Sequence, residues 1–159
     1  MSGQPHSPPA PPRSNTLPRA QRLKRRRLIR PLFDRSRNDI GSLAVGCVRL
    51  LYRVVPREMV GEEVPLQVGF ALGRGIRKAV RRNRLKRVMR EVYRVHQHDL
   101  VDLFSGRPDT LTLMVLYRGR TTQAAGRIRA DLPEALRRLA RRFQPGDDGE
   151  SSVRAEQPT

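Results

Sequence analysis

Hydrophobic residues follow two rhythms along this chain. In SLAVGCVRLLYRVV (42–55), LQVGFAL (66–72) and LTLMVLY (111–117) they form dense runs of strand length. Pro56 closes the first run, and Thr112 is the only polar interruption of the third. Elsewhere they recur at helical spacing. Leu28, Ile29, Leu32 and Phe33 make one stripe in RLKRRRLIRPLF (22–33). There Pro31 either confines the regular part to the residues after it or makes the first turn irregular. Leu85, Val88, Met89 and Val92 make a second stripe, on a helix predicted from about Lys78 to about Val101. A third stripe, Leu132, Leu136, Leu139, Ala140 and Phe143, lies in DLPEALRRLARRF (131–143), with Asp131 as N-cap and Pro133 in the first turn. Residues 57–65 read as a hairpin connection, Gly73–Lys78 as a turn and SGRPDT (105–110) as a loop. The order α-β-β-(β)-α-β-α, with the bracketed strand optional, predicts an α/β fold: a single mixed β-sheet packed with helices.

Both ends fall outside this pattern. Residues 1–18 hold six of the 13 prolines, and 144–159, with Val153 and Ala155 as the only aliphatic side chains, read the same way. Neither offers enough apolar surface to offset the entropy of ordering, so both read as disordered tails around one domain at 19–143. The first tail has prolines where a signal peptide carries an apolar stretch, and no run approaches the ~18 apolar residues of a membrane span. A cytoplasmic protein is expected.

Charge sharpens the picture. The net charge is +18, and of 33 basic residues only Lys24, Lys78 and Lys86 are lysines. Excess arginine of this order points to nucleic acid, because each neutralised phosphate releases a condensed counterion and the guanidinium fork grips phosphate in two places. An anionic membrane is the competing partner, but no amphipathic helix with a large insertion face stands out. The charge is also concentrated. In GRGIRKAVRRNRLKRVMREVYR (73–94), ten basic residues against Glu91 alone give +9 of the +18. At about 100° per residue, Arg82, Asn83, Lys86, Arg87, Arg90 and Arg94 share an arc of roughly 140°, apart from the apolar stripe. One side is for burial and the other for a polyanion.

Equipment for catalysis by the protein is missing from the sequence. There is no GxxxxGK[ST], no HExxH and no Ser/His/Asp arrangement, and Gly69, Gly73 and Gly75 make no dinucleotide fingerprint. Cys47 is the only cysteine and reads as a small core residue; His96, His98, Asp99 and Asp102 are poorly spaced for a metal and read as a solvated helix end.

VGFALGRGIRKAVRRNRLKRVMREVYR (68–94) resembles the signature segment of the bacterial ribonuclease P protein subunit. Arg82, Asn83, Arg84, Lys86, Arg87 and Arg90 match RNRxKRxxR without a substitution, and the likeness spans about residues 22–143. The resemblance implies an α+β sandwich with a left-handed βαβ crossover through the signature helix, against the right-handed default. It implies a subunit that partners a catalytic RNA, which with bound magnesium ions cleaves the 5′ leader from precursor tRNA. No residue of the protein is then catalytic, no protein partner is identifiable, and magnesium is held mainly by the RNA subunit and substrate.

By this likeness the RNA-binding residues are Arg74, Lys78, Arg81, Arg82, Asn83, Arg84, Lys86, Arg87, Arg90 and Arg94. Arg82, Lys86 and Arg90 make a row of cations about 6 Å apart along the axis. Asn83 serves either a base edge or ribose, or the local turn, and Arg84 either braces the fold or reaches a second RNA segment. The family's cleft for the single-stranded leader maps to Ile29, Phe33, Arg49 and Tyr52. Phe33 and Tyr52 are candidates for base stacking, with a core anchor the equal alternative for Phe33, and by strand alternation Arg49 and Tyr52 do not share a face. There are three departures from the family pattern: Gly75 where a second lysine is usual, Arg77 where a glycine is common, and the small pair Gly46-Cys47, which predicts a shallower cleft. The competing readings are a basic protein of the ribosome or its assembly, and a DNA-binding protein whose helix enters the major groove.

Overall fold

The computed structural model describes residues 17–120 and 122–144. The stretches 1–16 and 145–159, within the segments read as disordered tails, lie outside the described residues.

The aliphatic run at 42–55 folds as a hairpin, not as a single strand. β1 (Gly41–Val45) pairs antiparallel with β2 (Val48–Pro56), Val45 opposite Val48, around the two-residue turn Gly46-Cys47. Gly46 has φ 57°, and a Cβ there would collide with the Asp131 carboxylate, so the turn needs glycine on two grounds. That carboxylate accepts the Cys47 N–H at 3.2 Å. Asp131 therefore ties the hairpin to the last helix instead of capping it. The helix itself, α5 (Ala124–Arg142), starts seven residues earlier than the pattern predicts, and Pro133 lies in its interior. Ala124 and Ile128 explain the extension, since they continue the buried stripe of Leu132 and Leu136 backward in steps of four.

The remaining strands, β3 (Leu66–Leu72) and β4 (Asp109–Tyr117), complete one sheet in the order β1-β2-β4-β3. β4 runs antiparallel to β2 and parallel to β3. Residues 57–65 are thus no hairpin connection. They contain the one-turn helix α2 (Arg57–Val60), ended by Gly61 at φ 80°, and carry the chain past the start of β4, where Arg57 donates to the carbonyls of Phe104 and Asp109. From β3 the chain reaches its parallel neighbour through α3 (Ala79–His96) and α4 (His98–Ser105). The single helix expected to Val101 is broken at Gln97.

Alternation sorts the sheet into two faces. Val48, Leu50 and Tyr52 of β2, with Leu111, Leu113, Val115 and Tyr117 of β4, pack against α3, α4 and α5 in the main core. Val55 and Met114, with Leu51 and Leu116, face a smaller core under Leu28 and Leu32. These last two belong to α1 (Arg26–Ile29) and to the 3-10 stretch Arg30–Phe33 that follows, so the regular turn precedes Pro31 and the tight one contains it. Each fully buried side chain of this size contributes about 1.5–3 kcal/mol. The N-terminal segment is also part of the fold. Leu17 is buried, Leu23 donates to the Val68 carbonyl at 3.0 Å, and Gln67 donates to that of Ala20 at 2.7 Å. This segment covers the outer edge of β3, and the folded unit begins before residue 19.

Candidate nucleic-acid interface

The turn before α3 sets how the basic helix is presented. Gly73 donates to the Tyr117 carbonyl at 2.9 Å, Ile76 is buried as the anchor, and Gly75 lies so close to Gly119 that an added Cβ would stand 3.1 Å from its carbonyl oxygen. Glycine at 75 thus costs a cation but lets the turn close on the loop after β4. Arg82 reaches back from the first turn of α3 and donates to the carbonyls of Ile76 at 2.7 Å, Gly73 at 3.3 Å and Leu72 at 3.4 Å. The residue expected to head the phosphate row is committed to the protein's own backbone. Arg84, offered as a possible brace, is exposed.

The buried side of α3 is Leu85, Met89, Val92 and Tyr93. Val88 is half-buried, and the open side carries Arg77, Lys78, Arg81, Asn83, Arg84 and Arg87. Arg74 is exposed on the turn. The N-cap is Lys78, without a side-chain bond, and the exposed Asn83 lies within the helix. Lys86, Arg90 and Arg94 are half-buried at the margin, and Arg94 is paired with Glu91 at 2.7 Å. The cationic side is therefore turned toward Arg81 and Arg84 relative to the arc read from the sequence.

On the opposite face of the sheet, a groove of about 540 Å³ is lined by Phe33, Asp34, Arg35, Arg37, Arg49, Leu51, Leu116 and Arg118, among others. Phe33 is 48% exposed, and the buried neighbours Leu28 and Leu32 anchor its helix instead. Burial first, then the charges of Arg118 and Arg35, pushes the Arg49 guanidinium below its ordinary value. The groove's acid, Asp34, is already engaged, accepting from Ser36, and Asp39, the partner of the lining Arg37, is held at about 2 by Arg37 and then Arg53. What remains is an aromatic beside uncompensated arginines, the chemistry of a single-stranded nucleic acid site.

Tyr52 does not belong to this groove. It is buried on the other face, edge-on to Phe143 at 5.7 Å, and its hydroxyl accepts from Arg142 at 2.6 Å. The alternation that puts Arg49 in the groove excludes it. Ile29 is half-buried and packs in the smaller core. Gly46 and Cys47 line no wall of the groove, so their small size does not make it shallower. Sequence pattern does not single out Arg35 and Arg37, whereas it does reach Arg118, since 114, 116 and 118 alternate onto the face opposite the main core.

Residues 17–142 match the family model for ribonuclease P. The chain belongs to the ribonuclease P protein family. It is 33% identical over 130 residues to the ribonuclease P protein component of Desulfovibrio desulfuricans, covering 82% of this chain and 90% of that one. The corresponding protein of Chlorobaculum tepidum is 31% identical over 134 residues, 80% of this chain and 84% of its own. A solved structure of the Staphylococcus aureus RNase P protein has the same fold, with a TM-score of 0.54 over 78% of this chain and 98% of that one at 18% identity. The protein is accordingly a component of ribonuclease P, the endoribonuclease of tRNA 5′ processing, and an RNA partner follows. No helix among the described residues is long and apolar enough to cross a membrane.

Among the described residues the magnesium expected of the family meets no cluster of three or more ligating His, Cys, Asp or Glu side chains. Asp34, Asp39, Glu91 and Glu134 hold serine or arginine partners instead.

Proposed function

We propose that the open side of α3 docks this protein onto a catalytic RNA subunit while the Phe33 groove holds the single-stranded 5′ leader of precursor tRNA. The RNA carries the hydrolysis, magnesium is held by RNA and substrate, and the protein works in the cytoplasm as the accessory subunit. The observation that carries the reading is the separation of the two surfaces. The main core lies between α3 and the sheet, and the groove opens on the sheet's far face, so one chain addresses two RNA segments at once. Arg49, Arg35 and Arg118 take the leader's phosphates and Phe33 stacks on an unpaired base, a contact worth about 1–3 kcal/mol.

Phe33→Ala tests the leader arm. Affinity for leader-bearing tRNA should fall about 5- to 100-fold, with affinity for mature tRNA and stability little changed, since the ring is half exposed. Equal losses for both tRNAs, with a drop in unfolding free energy, would assign Phe33 to the core.

A further inference from the structure

We propose that the N-terminal segment and α3 together form a second site for the RNA subunit's backbone: a cationic groove along the outer edge of β3, with Arg22 and Lys24 on one bank and Lys86 and Arg90 on the other. The inference rests on the reading above and extends it to residues outside the signature.

The groove exists because the N-terminal segment is docked, not trailing. Arg22 sits in a parallel bridge with Val68, and its Nε donates to the Leu17 carbonyl at 2.8 Å. Buried Leu17 and Leu23 seat the segment on β3. The result is a groove of about 400 Å³ with Leu17, Leu23, Val68, Gly69 and Phe70 as floor and walls and four cations at its edges.

No carboxylate lines it. The nearby acid of α3, Glu91, is taken by Arg94 at 2.7 Å. The Arg90 guanidinium is pushed below its ordinary value, first by burial and then by Arg22 and Arg87. A fold that gathers four cations around a half-buried groove without an acid gains on binding an anion. Two banks suit a nucleic acid strand better than a lone phosphate. The apolar floor takes ribose, and the cations meet phosphates from both sides. Lys86 and Arg90 also belong to α3, so the groove continues the surface assigned to the RNA subunit. The leader groove lies on the sheet's other face.

The test is the salt dependence of the affinity of the full chain for a bacterial ribonuclease P RNA. Each lost phosphate contact lowers the slope of log K against log salt by about one. Arg22→Ala/Lys24→Ala should lower it by about two and weaken binding roughly 10- to 100-fold near 0.1 M salt. Lys24→Ala, at an exposed position, should lower it by about one and keeps the test valid if losing Arg22 unseats Leu17. Unchanged slopes in both variants, with Arg87→Ala still lowering its own, would overturn this groove and leave the docking reading intact. Unchanged slopes in all three would overturn both. A loss seen only with leader-bearing precursor tRNA would also overturn the assignment, by giving Arg22 and Lys24 to the substrate.

Discussion

Arg82→Ala is expected to lower the unfolding free energy by about 2 kcal/mol and to weaken RNA binding while leaving the salt slope of that binding nearly unchanged. Its guanidinium satisfies carbonyls of Leu72, Gly73 and Ile76, which form the turn that aims α3. A hydrogen bond to a charged donor contributes about 1.5–3 kcal/mol net, and partial exposure with two long contacts argues for the lower end of their sum. Affinity falls because the helix is no longer held in one orientation, not because a phosphate contact is lost. Arg82→Lys keeps the charge but lacks the fork and should recover only part of the stability. Chemical denaturation and a salt series on the same variant separate the two roles. Unchanged stability with a slope lower by one would place Arg82 on a phosphate.

The complementary variant removes cations with no structural duty. Arg81, Arg84 and Arg87 are exposed on the open side of α3. Changing all three to alanine should leave stability within about 0.5 kcal/mol of the parent, as surface substitutions usually do. The salt slope should fall by about three, and affinity for the RNA subunit by roughly 10²- to 10³-fold near 0.1 M salt. An unchanged slope would remove this side of α3 from the interface. The contrast with Arg82 matters as much as either result: adjacent arginines of one motif should differ in kind.

That contrast marks where the sequence stops being informative. Helical period separates Leu85, Met89 and Val92 from the arginines because burial obeys 3.6 residues per turn. It says nothing about which arginine bends back onto a turn, since that depends on where the carbonyls of 72–76 end up. The strand alternation of β2 correctly splits Arg49 from Tyr52, yet which face holds the groove depends on α1 crossing one side only. The run at 42–55 hides a hairpin because the residues flanking Gly46 keep an aliphatic pattern, and the turn is specified by one positive φ. Asp131 looked like an N-cap because it precedes a leucine stripe. The Ala124 and Ile128 steps were available, but Gly126 and the short side chains weakened them. The long-range members of the two grooves, Arg35 and Arg118 in one and the Arg22–Lys24 bank in the other, are placed by tertiary packing and sheet order, which local pattern does not encode.

On the proposed function, this chain assists an RNA that performs the cleavage. The most direct measurement mixes the full chain with a bacterial ribonuclease P RNA and precursor tRNA at low magnesium and follows release of the 5′ leader. Release should be faster than with RNA alone, and the protein alone should give none. Release that the protein does not accelerate, or cleavage by the protein without RNA, would contradict the proposed function.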